Sequence, residues 1–152
     1  MENSKVEIEG FDEVDPAELE NSFNLIGKDW TLICTNDGEK ANAMTASWGC
    51  FGVLWRKNIC MFFLRPQRYT YSLLEKEDLV SLNFFSEQYK DKLRYFGTKS
   101  GRDTDKFADT DMSYSKLPDG TPYVKEANIV LCCRKLYTDD IKKANFVDTS
   151  LL

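Results

Sequence analysis

The alternation of apolar and polar positions predicts a chain in which strands outnumber helices. Residues 30–35 are β-prone with partial alternation, and the turn-forming residues 36–38 connect them to residues 41–48, which predicts a hairpin. Residues 58–64 are continuously apolar and aromatic, which is typical of a strand buried on both faces. Two further strands are predicted at 79–84 and 127–137.

Helical patterns are short and lie between these strands. Asp15 is an expected N-cap of a first short helix, and helix formers over 67–76 predict a second. Residues 86–96 carry apolar side chains at i, i+4 and i+7, which predicts an amphipathic helix that stops at Gly97. Residues 98–122 are polar and rich in turn residues, so we expect a long surface connection. Connections of this length without secondary structure are uncommon and usually have a function.

These elements favour a β-barrel or β-sandwich with helical decoration. A chain of 152 residues is near the usual size of one domain and can bury a substantial core. We expect residues 1–14 to form a flexible acidic arm and residues 15–152 to form the domain.

Composition excludes several kinds of chemistry. The sequence contains no histidine, so it can supply no Ser-His-Asp or Cys-His nucleophile, no His-ligated zinc and no imidazole base. The five cysteines include no C-x-x-C pair, and we expect free buried thiols and no metal site.

Charge and hydropathy indicate the expected surroundings of the protein. The 20 basic and 25 acidic residues give a net charge of −5, which argues against nucleic acid as a partner. The first nine residues have no basic or apolar signal region. The longest apolar run, 59–64, is far shorter than the ~20 residues of a membrane span. We therefore expect a cytoplasmic protein with no membrane association.

The first segment that could carry chemistry is 42–49, where small and hydroxyl residues interrupt a bulky β pattern. Thr45 and Ser47 are two residues apart and would share one face of a strand, while Ala46 and Gly49 leave backbone N–H groups approachable. Such a surface could bind an oxyanion or a flat ring. The alternative is a solvent-facing side of an edge strand.

The second segment, 65–71, places two arginines near the beginning of a predicted helix. Unpaired N–H groups and the helix dipole favour an anion there, and Arg is well matched to phosphate. The alternative is that Thr70 caps the helix and that Arg65 and Arg68 pair with surface acids.

The third segment, 100–107, has a Ser-Gly turn followed by basic residues. Lys106 would act as a point charge for an anion. The alternative is an ordinary loop composition, but three anion signals in one small acidic protein carry more weight than any one alone.

These segments, with Asn83-Phe84-Phe85, occur in the order and spacing of a known family. The chain resembles the flavin reductase-like, FMN-binding split-barrel proteins, in particular the flavoredoxin-type branch, over about residues 15–148. The resemblance implies a mainly β fold, a six-stranded split β-barrel of Greek-key type with short flanking helices. It also implies a homodimer with FMN bound non-covalently near the subunit interface.

The resemblance assigns residues to the cofactor. Five would lie along the flavin, seven would hold its phosphate and two would border the ring. The residues along the flavin would be Met44, Thr45, Ala46, Ser47 and Trp48. The residues that hold the phosphate would be Arg65, Arg68, Tyr69, Thr70, Ser100, Gly101 and Lys106. The residues that border the ring would be Asn83 and Phe84. No catalytic side chain is expected, since the flavin carries the redox chemistry, which is how a chain without histidine could be an enzyme.

The implied function is an oxidoreductase that passes electrons from NAD(P)H through FMN to free flavin or another acceptor. The alternative is a flavoredoxin-like carrier that exchanges electrons with a redox partner protein without reductase turnover. Members of the family usually continue beyond the region that matches 146–148, so we also expect a C-terminally truncated chain, and a third reading is a structural dimer with impaired cofactor binding.

Overall fold

The computed structural model describes residues 6–152. Eight strands lie in this part of the chain, and all of their pairings are antiparallel. In chain order they are β1 (Thr31–Asp37), β2 (Lys40–Ala46), β3 (Gly49–Leu54), β4 (Lys57–Phe62), β5 (Leu79–Phe84), β6 (Tyr114–Lys116), β7 (Pro122–Val124) and β8 (Ile129–Arg134).

The helices are short and connect the strands. They are α1 (Ser22–Asn24), α2 (Tyr69–Leu74), α3 (Lys90–Thr98) and α4 (Lys106–Thr110), with a π-helical turn at Leu25–Asp29 and 3₁₀ turns at Pro16–Glu18, Glu87–Tyr89, Lys143–Asn145 and Thr149–Leu151. Within residues 6–152, no helix has the length and apolar character needed to cross a membrane.

A four-stranded sheet in the order β2-β1-β5-β8 is the centre of the fold. The predicted hairpin is confirmed as β1 and β2, which pair from Thr31↔Ala46 to Asp37↔Lys40. Gly38 closes the turn at φ +62°, a conformation that glycine adopts without steric cost. Helix α3 packs on one face of the sheet and α2 on the other, so the first five residues of β1 are buried on both faces.

Strands β3 and β4 form a separate two-stranded ribbon. The prediction that residues 58–64 are buried on both faces was wrong, because Met61 is 47% and Phe63 is 42% exposed. Among residues 6–152, β4 pairs only with β3, and the outer face of the ribbon, which includes Leu54 and Met61, is exposed. The inner face, which includes Cys60 and Phe62, packs on the four-stranded sheet.

The region 98–122 is more ordered than the sequence predicts. It contains α4 and β6, and it buries Phe107 and Met112 in the same core cluster as Leu93 and Phe96. Asp105 caps α4 by accepting a hydrogen bond of 3.2 Å from the Ala108 backbone N–H. Helix α3 includes Gly97, where the sequence predicted its end, and it ends one residue later at Thr98.

Other local predictions have mixed outcomes. Asp15 caps the turn Pro16–Glu18 by accepting from the Ala17 N–H at 2.8 Å. Residues 1–5 of the predicted arm lie outside the described residues, and the arm stays a prediction. All five cysteines are free, but the expectation of burial was wrong for Cys50 and Cys132, which are exposed.

Candidate functional site

Two cations converge on the C-terminal end of α3. Arg68, just before α2, donates from Nη1 to the Gly97 carbonyl at 2.7 Å and from Nη2 to the Phe96 carbonyl at 3.4 Å. Lys106, the first residue of α4, donates from Nζ to the Phe96 carbonyl at 3.2 Å and to the Lys99 carbonyl at 3.3 Å. One carbonyl oxygen is therefore shared by a guanidinium and an ammonium group.

Both cations lack an acidic partner. Within residues 6–152 no carboxylate oxygen forms an ion pair with Arg68 or Lys106, although Lys106 is only 4% exposed. Burial, and then the charge of Arg68, lower the pKa of the Lys106 ammonium group to about 8. Burial, followed by the charge of Arg65, lowers the pKa of the Arg68 guanidinium group. Two like charges in such surroundings are stabilised by an anion.

Hydroxyl and backbone groups lie around these cations. The buried Asn42 donates from Nδ2 to the Thr70 hydroxyl oxygen at 3.0 Å, so the Thr70 proton is directed elsewhere. The Ser100 hydroxyl oxygen accepts from the Arg102 N–H at 3.2 Å. A Cβ atom at Gly101 would lie 2.1 Å from Asn42 Oδ1, so only glycine lets the backbone approach this closely.

These groups line one cleft of about 130 Å³. Its lining combines residues from β2, the beginning of α2, the end of α3 and the α3–α4 connection: Met44, Gln67, Arg68, Tyr69, Thr70, Thr98, Lys99, Ser100, Gly101 and Lys106. The second and third predicted segments, which are separated by about thirty residues of chain, therefore meet in one place.

Tyr69 contributes its ring to this cleft. Its hydroxyl donates to Asp37 Oδ2 at 2.9 Å, and this hydrogen bond raises the pKa of the Tyr69 phenol. The Arg102 guanidinium lies over the Tyr69 ring, 4.9 Å from its centroid, and donates to the Gln67 carbonyl at 3.3 Å.

The end of β2 and the residues after it lie beside the cleft. Met44 and Ala46 are buried in the cluster with Ile33, whereas the Thr45 hydroxyl donates to the Leu93 carbonyl of α3. The side-chain hydroxyl of Thr45 is thus used inside the protein. β2 is an edge strand of its sheet, as the alternative expected, but its Thr45 hydroxyl faces α3 and not solvent.

Ser47 and Trp48 follow the end of β2 in the chain, and Arg65 follows β4. Ser47 is partly buried, and Trp48 is 61% exposed. The Arg65 guanidinium lies 5.6 Å from the centroid of the Trp48 ring, within range of a cation–π contact.

Asn83 and Phe84 lie in the core and do not line this cleft. Asn83 is fully buried, donates from Nδ2 to the Leu32 carbonyl and Ser81 hydroxyl, and accepts from the Val124 N–H at 2.9 Å. Phe84 is 1% exposed and packs in the core. The structure therefore does not bring these two side chains to the cleft, and the expectation that they border a ring stays a prediction.

The structure does not show the alternative for residues 65–71, in which Thr70 caps the helix and the two arginines pair with surface acids. Arg68 is the N-cap residue of α2, and Thr70 lies inside the helix without capping it. Neither Arg65 nor Arg68 pairs with an acid among the described residues.

Sequence reasoning missed Asn42 and Arg102 as parts of the site. Asn42 holds Thr70 and limits the space at Gly101. The sequence of β2 gives no signal that Asn42 has a partner 28 residues away. Arg102 stood within the third segment, but its contact with Tyr69 depends on the fold.

The chain can be compared with known proteins by its sequence and by its fold. The sequence profile described as "Flavin reductase like domain" matches residues 23–147. No curated protein sequence matches the chain. The chain therefore belongs to the flavin reductase-like domain family.

Solved structures support the same fold. A flavoredoxin of Desulfovibrio vulgaris (Miyazaki F) is similar with a TM-score of 0.69 at 20% identity, covering 84% of this chain and 69% of that one. An FMN-binding protein from Thermus thermophilus has a TM-score of 0.68 at 20% identity, covering 88% and 72%. A flavoredoxin from Methanosarcina acetivorans has a TM-score of 0.65 at 26% identity, covering 74% and 60%.

The predicted fold class, a mainly β split barrel with short helices, is confirmed. The strand count differs from the expected six within the described residues, because the short strands β6 and β7 form an additional hairpin.

Proposed function

We propose that the cleft at the end of α3 binds the phosphate of FMN and that the protein is an FMN-dependent oxidoreductase. The observation that carries this proposal is the convergence of Arg68 and Lys106 without a carboxylate partner within residues 6–152. A phosphate between them would supply the missing negative charge and accept hydrogen bonds from both.

The residues present fit such a phosphate. Arg68 and Lys106 provide charge, the Thr70 hydroxyl retains a proton that it can donate, and Gly101 allows close approach of the backbone. A cleft of about 130 Å³ has room for a phosphate group but not for a whole flavin, so the ring would extend beyond it. Ser47, Trp48 and Arg65 are the accessible groups that it would meet there.

FMN, when bound, supplies the hydride-transfer chemistry, so the side chains of this histidine-free chain need supply no acid or base for it. The chain's own part is to hold the phosphate, to orient the ring beside β2 and to limit the access of water. NAD(P)H is the proposed electron donor, and free flavin or another molecule is the proposed acceptor.

The proposal is tested by comparing FMN with riboflavin, which lacks the phosphate. Replacing Arg68 or Lys106 with Ala should weaken FMN binding about 10- to 100-fold, since a hydrogen bond to a charged group contributes about 1.5–3 kcal/mol. Riboflavin binding should change little. Flavin fluorescence quenching on titration gives both dissociation constants.

Arg94→Ala is the matched control, because Arg94 is an exposed cation of the same region that pairs with Asp91 instead. It should leave FMN binding unchanged. Equal losses for FMN and riboflavin in the Arg68 and Lys106 variants, or the absence of any flavin binding by the unmodified protein, would contradict the proposal.

A second candidate function is electron carriage without reductase turnover. It is favoured by the structural similarity to two flavoredoxins. Steady-state oxidation of NADH and NADPH with added free flavin separates the two functions, since a carrier would consume either donor only slowly. Rapid consumption supports the reductase.

We also propose that the protein is a homodimer. The outer face of the β3–β4 ribbon exposes Leu54, Met61 and Phe63, and Trp55 at its turn is 57% exposed. A second copy would remove this apolar surface from water. Light scattering after gel filtration should give twice the mass of the chain, and Met61→Lys should shift the mass towards that of the monomer. A monomer at every concentration would refute the dimer.

A further inference from the structure

Two cysteine side chains meet where the β3–β4 ribbon packs on the four-stranded sheet. Cys60 lies on β4 and Cys133 on β8, and their sulfur atoms are 3.6 Å apart. Both residues are partly buried and pack on the cluster formed by Ile26, Leu82 and Phe84. Among residues 6–152, no other two cysteines are in hydrogen-bonding contact.

The geometry needs only a small change to form a bond. Sulfur atoms in a disulfide are about 2.05 Å apart, so the two atoms have to approach by about 1.5 Å. Side-chain rotation supplies movements of this size. Neither strand has to exchange its neighbour, since β4 pairs with β3 and β8 pairs with β5.

The two thiols differ in character. Either sulfur can donate the hydrogen bond between them. That hydrogen bond lowers the pKa of the Cys60 thiol against the opposing effect of burial, and it raises the pKa of the Cys133 thiol together with burial. Cys133 Sγ also lies 3.6 Å from the Leu131 carbonyl oxygen, to which it can donate, and this contact favours Cys133 as the sulfur that keeps its proton and Cys60 as the sulfur that reacts as a thiolate.

We propose that Cys60 and Cys133 are a redox-active pair that a hydroperoxide, such as hydrogen peroxide, converts to a disulfide. The Cys60 thiolate attacks one peroxide oxygen, the O–O bond breaks, and a sulfenic acid and hydroxide result. The Cys133 sulfur then attacks the Cys60 sulfur, the S–S bond forms, the S–O bond breaks, and the departing hydroxide takes the Cys133 proton to become water. The two sulfurs together lose two electrons and the peroxide gains two.

The disulfide would fasten the ribbon to the four-stranded sheet. Cys60 and Cys133 are 73 residues apart along the chain, so the bond closes a large loop and restricts the unfolded state. The oxidised protein should melt roughly 10 °C higher than the reduced protein. A small thiol reductant reverses the change by thiol–disulfide exchange. The proposal does not depend on flavin binding.

The test uses the full chain, reduced and then treated with equimolar hydrogen peroxide. Remaining thiols are alkylated, and peptides are mapped by mass spectrometry before and after reduction. We expect the loss of two hydrogen atoms, a linked pair of peptides that carry Cys60 and Cys133, and a higher melting temperature that returns to the original value on reduction. Cys50→Ser and Cys132→Ser are the controls, and both should keep the link.

Single replacements assign the two roles. In Cys133→Ser, a sulfenic acid at Cys60 should persist and be trapped by dimedone, whereas Cys60→Ser should give no such adduct at Cys133. The mapping of the unmodified chain decides the matter even where a variant fails to fold. Alkylation of both Cys60 and Cys133 after peroxide treatment, or a link through Cys132 or between two chains, would overturn the proposal.

Discussion

Replacing Lys106 with Met tests whether the cleft is built for an anion at the expense of stability. Met is close in size to Lys and removes the charge while keeping most of the packing. In the protein without ligand, the Lys106 ammonium group is buried beside another cation, and its pKa falls from 10.5 to about 8. The folded state therefore holds this charge unfavourably.

The magnitude follows from that pKa difference. Below about pH 8 the lysine is protonated in both the folded and the unfolded states, and the folded state bears the full cost of about 3 kcal/mol. Between about pH 8 and 10.5 the folded state releases the proton first, so the unfolded state binds more protons and stability rises with pH. Lys106→Met removes the cost but takes the Lys106 donor from the Lys99 carbonyl and leaves the Phe96 carbonyl with Arg68 alone, which loses about 1–2 kcal/mol.

Lys106→Met should therefore raise the free energy of unfolding by about 1–2 kcal/mol at pH 7. The stability advantage should shrink as the pH approaches 10, and FMN affinity at pH 7 should be lower than that of the original protein. Urea denaturation of both proteins without ligand, at a series of pH values, measures the difference. Lys125→Met, at an exposed site, is the control and should show neither effect.

A variant less stable than the original protein at pH 7 would refute the reasoning. So would a stability difference that does not depend on pH. Either result would mean that Lys106 serves as a structural donor to the carbonyls and not as an uncompensated charge awaiting an anion.

Three further predictions concern the cleft and its boundary. FMN affinity should fall by up to tenfold per pH unit above about pH 8, as Lys106 loses its proton, while riboflavin affinity follows no such trend; parallel profiles for the two ligands would contradict this. Gly101→Ala forces Asn42 to move, so it should lower the free energy of unfolding by about 1–3 kcal/mol and weaken FMN binding. Gly52→Ala adds its methyl group to open space and should change neither quantity. Equal effects of the two substitutions would refute the close approach at Gly101. Asn83→Ala should cost about 3 kcal/mol in denaturant unfolding but leave FMN affinity unchanged, and a large affinity loss would return Asn83 to the site.

Local sequence determines the strands and turns well. The alternation over 30–35, the turn at Gly38 and the apolar run 79–84 each specify their element because side-chain period and backbone freedom act over a few residues. The cation-rich segments 65–71 and 100–107 are also visible in the sequence, because arginine and lysine near turns are suited to phosphate, but an ordinary surface loop has the same composition.

Burial and convergence required the tertiary structure. The apolar run 58–64 looks more buried than residues 31–35, but only the latter are covered on both faces, because β1 is central and β4 belongs to an outer ribbon. Asn83 looks available for a ligand in the sequence, and its three hydrogen-bond partners become known only when the sheet and β7 are assembled.

The sequence by itself thus determined the order of the elements, the absence of histidine chemistry and the segments rich in cations. Only the tertiary structure decided that Arg68 and Lys106 meet at the last turn of α3, where both reach the Phe96 carbonyl. Arg68 is 28 residues from that carbonyl along the chain. The meeting is fixed by the packing of α2, α3 and α4 around the sheet, because long-range contacts depend on how elements assemble and not on any one segment.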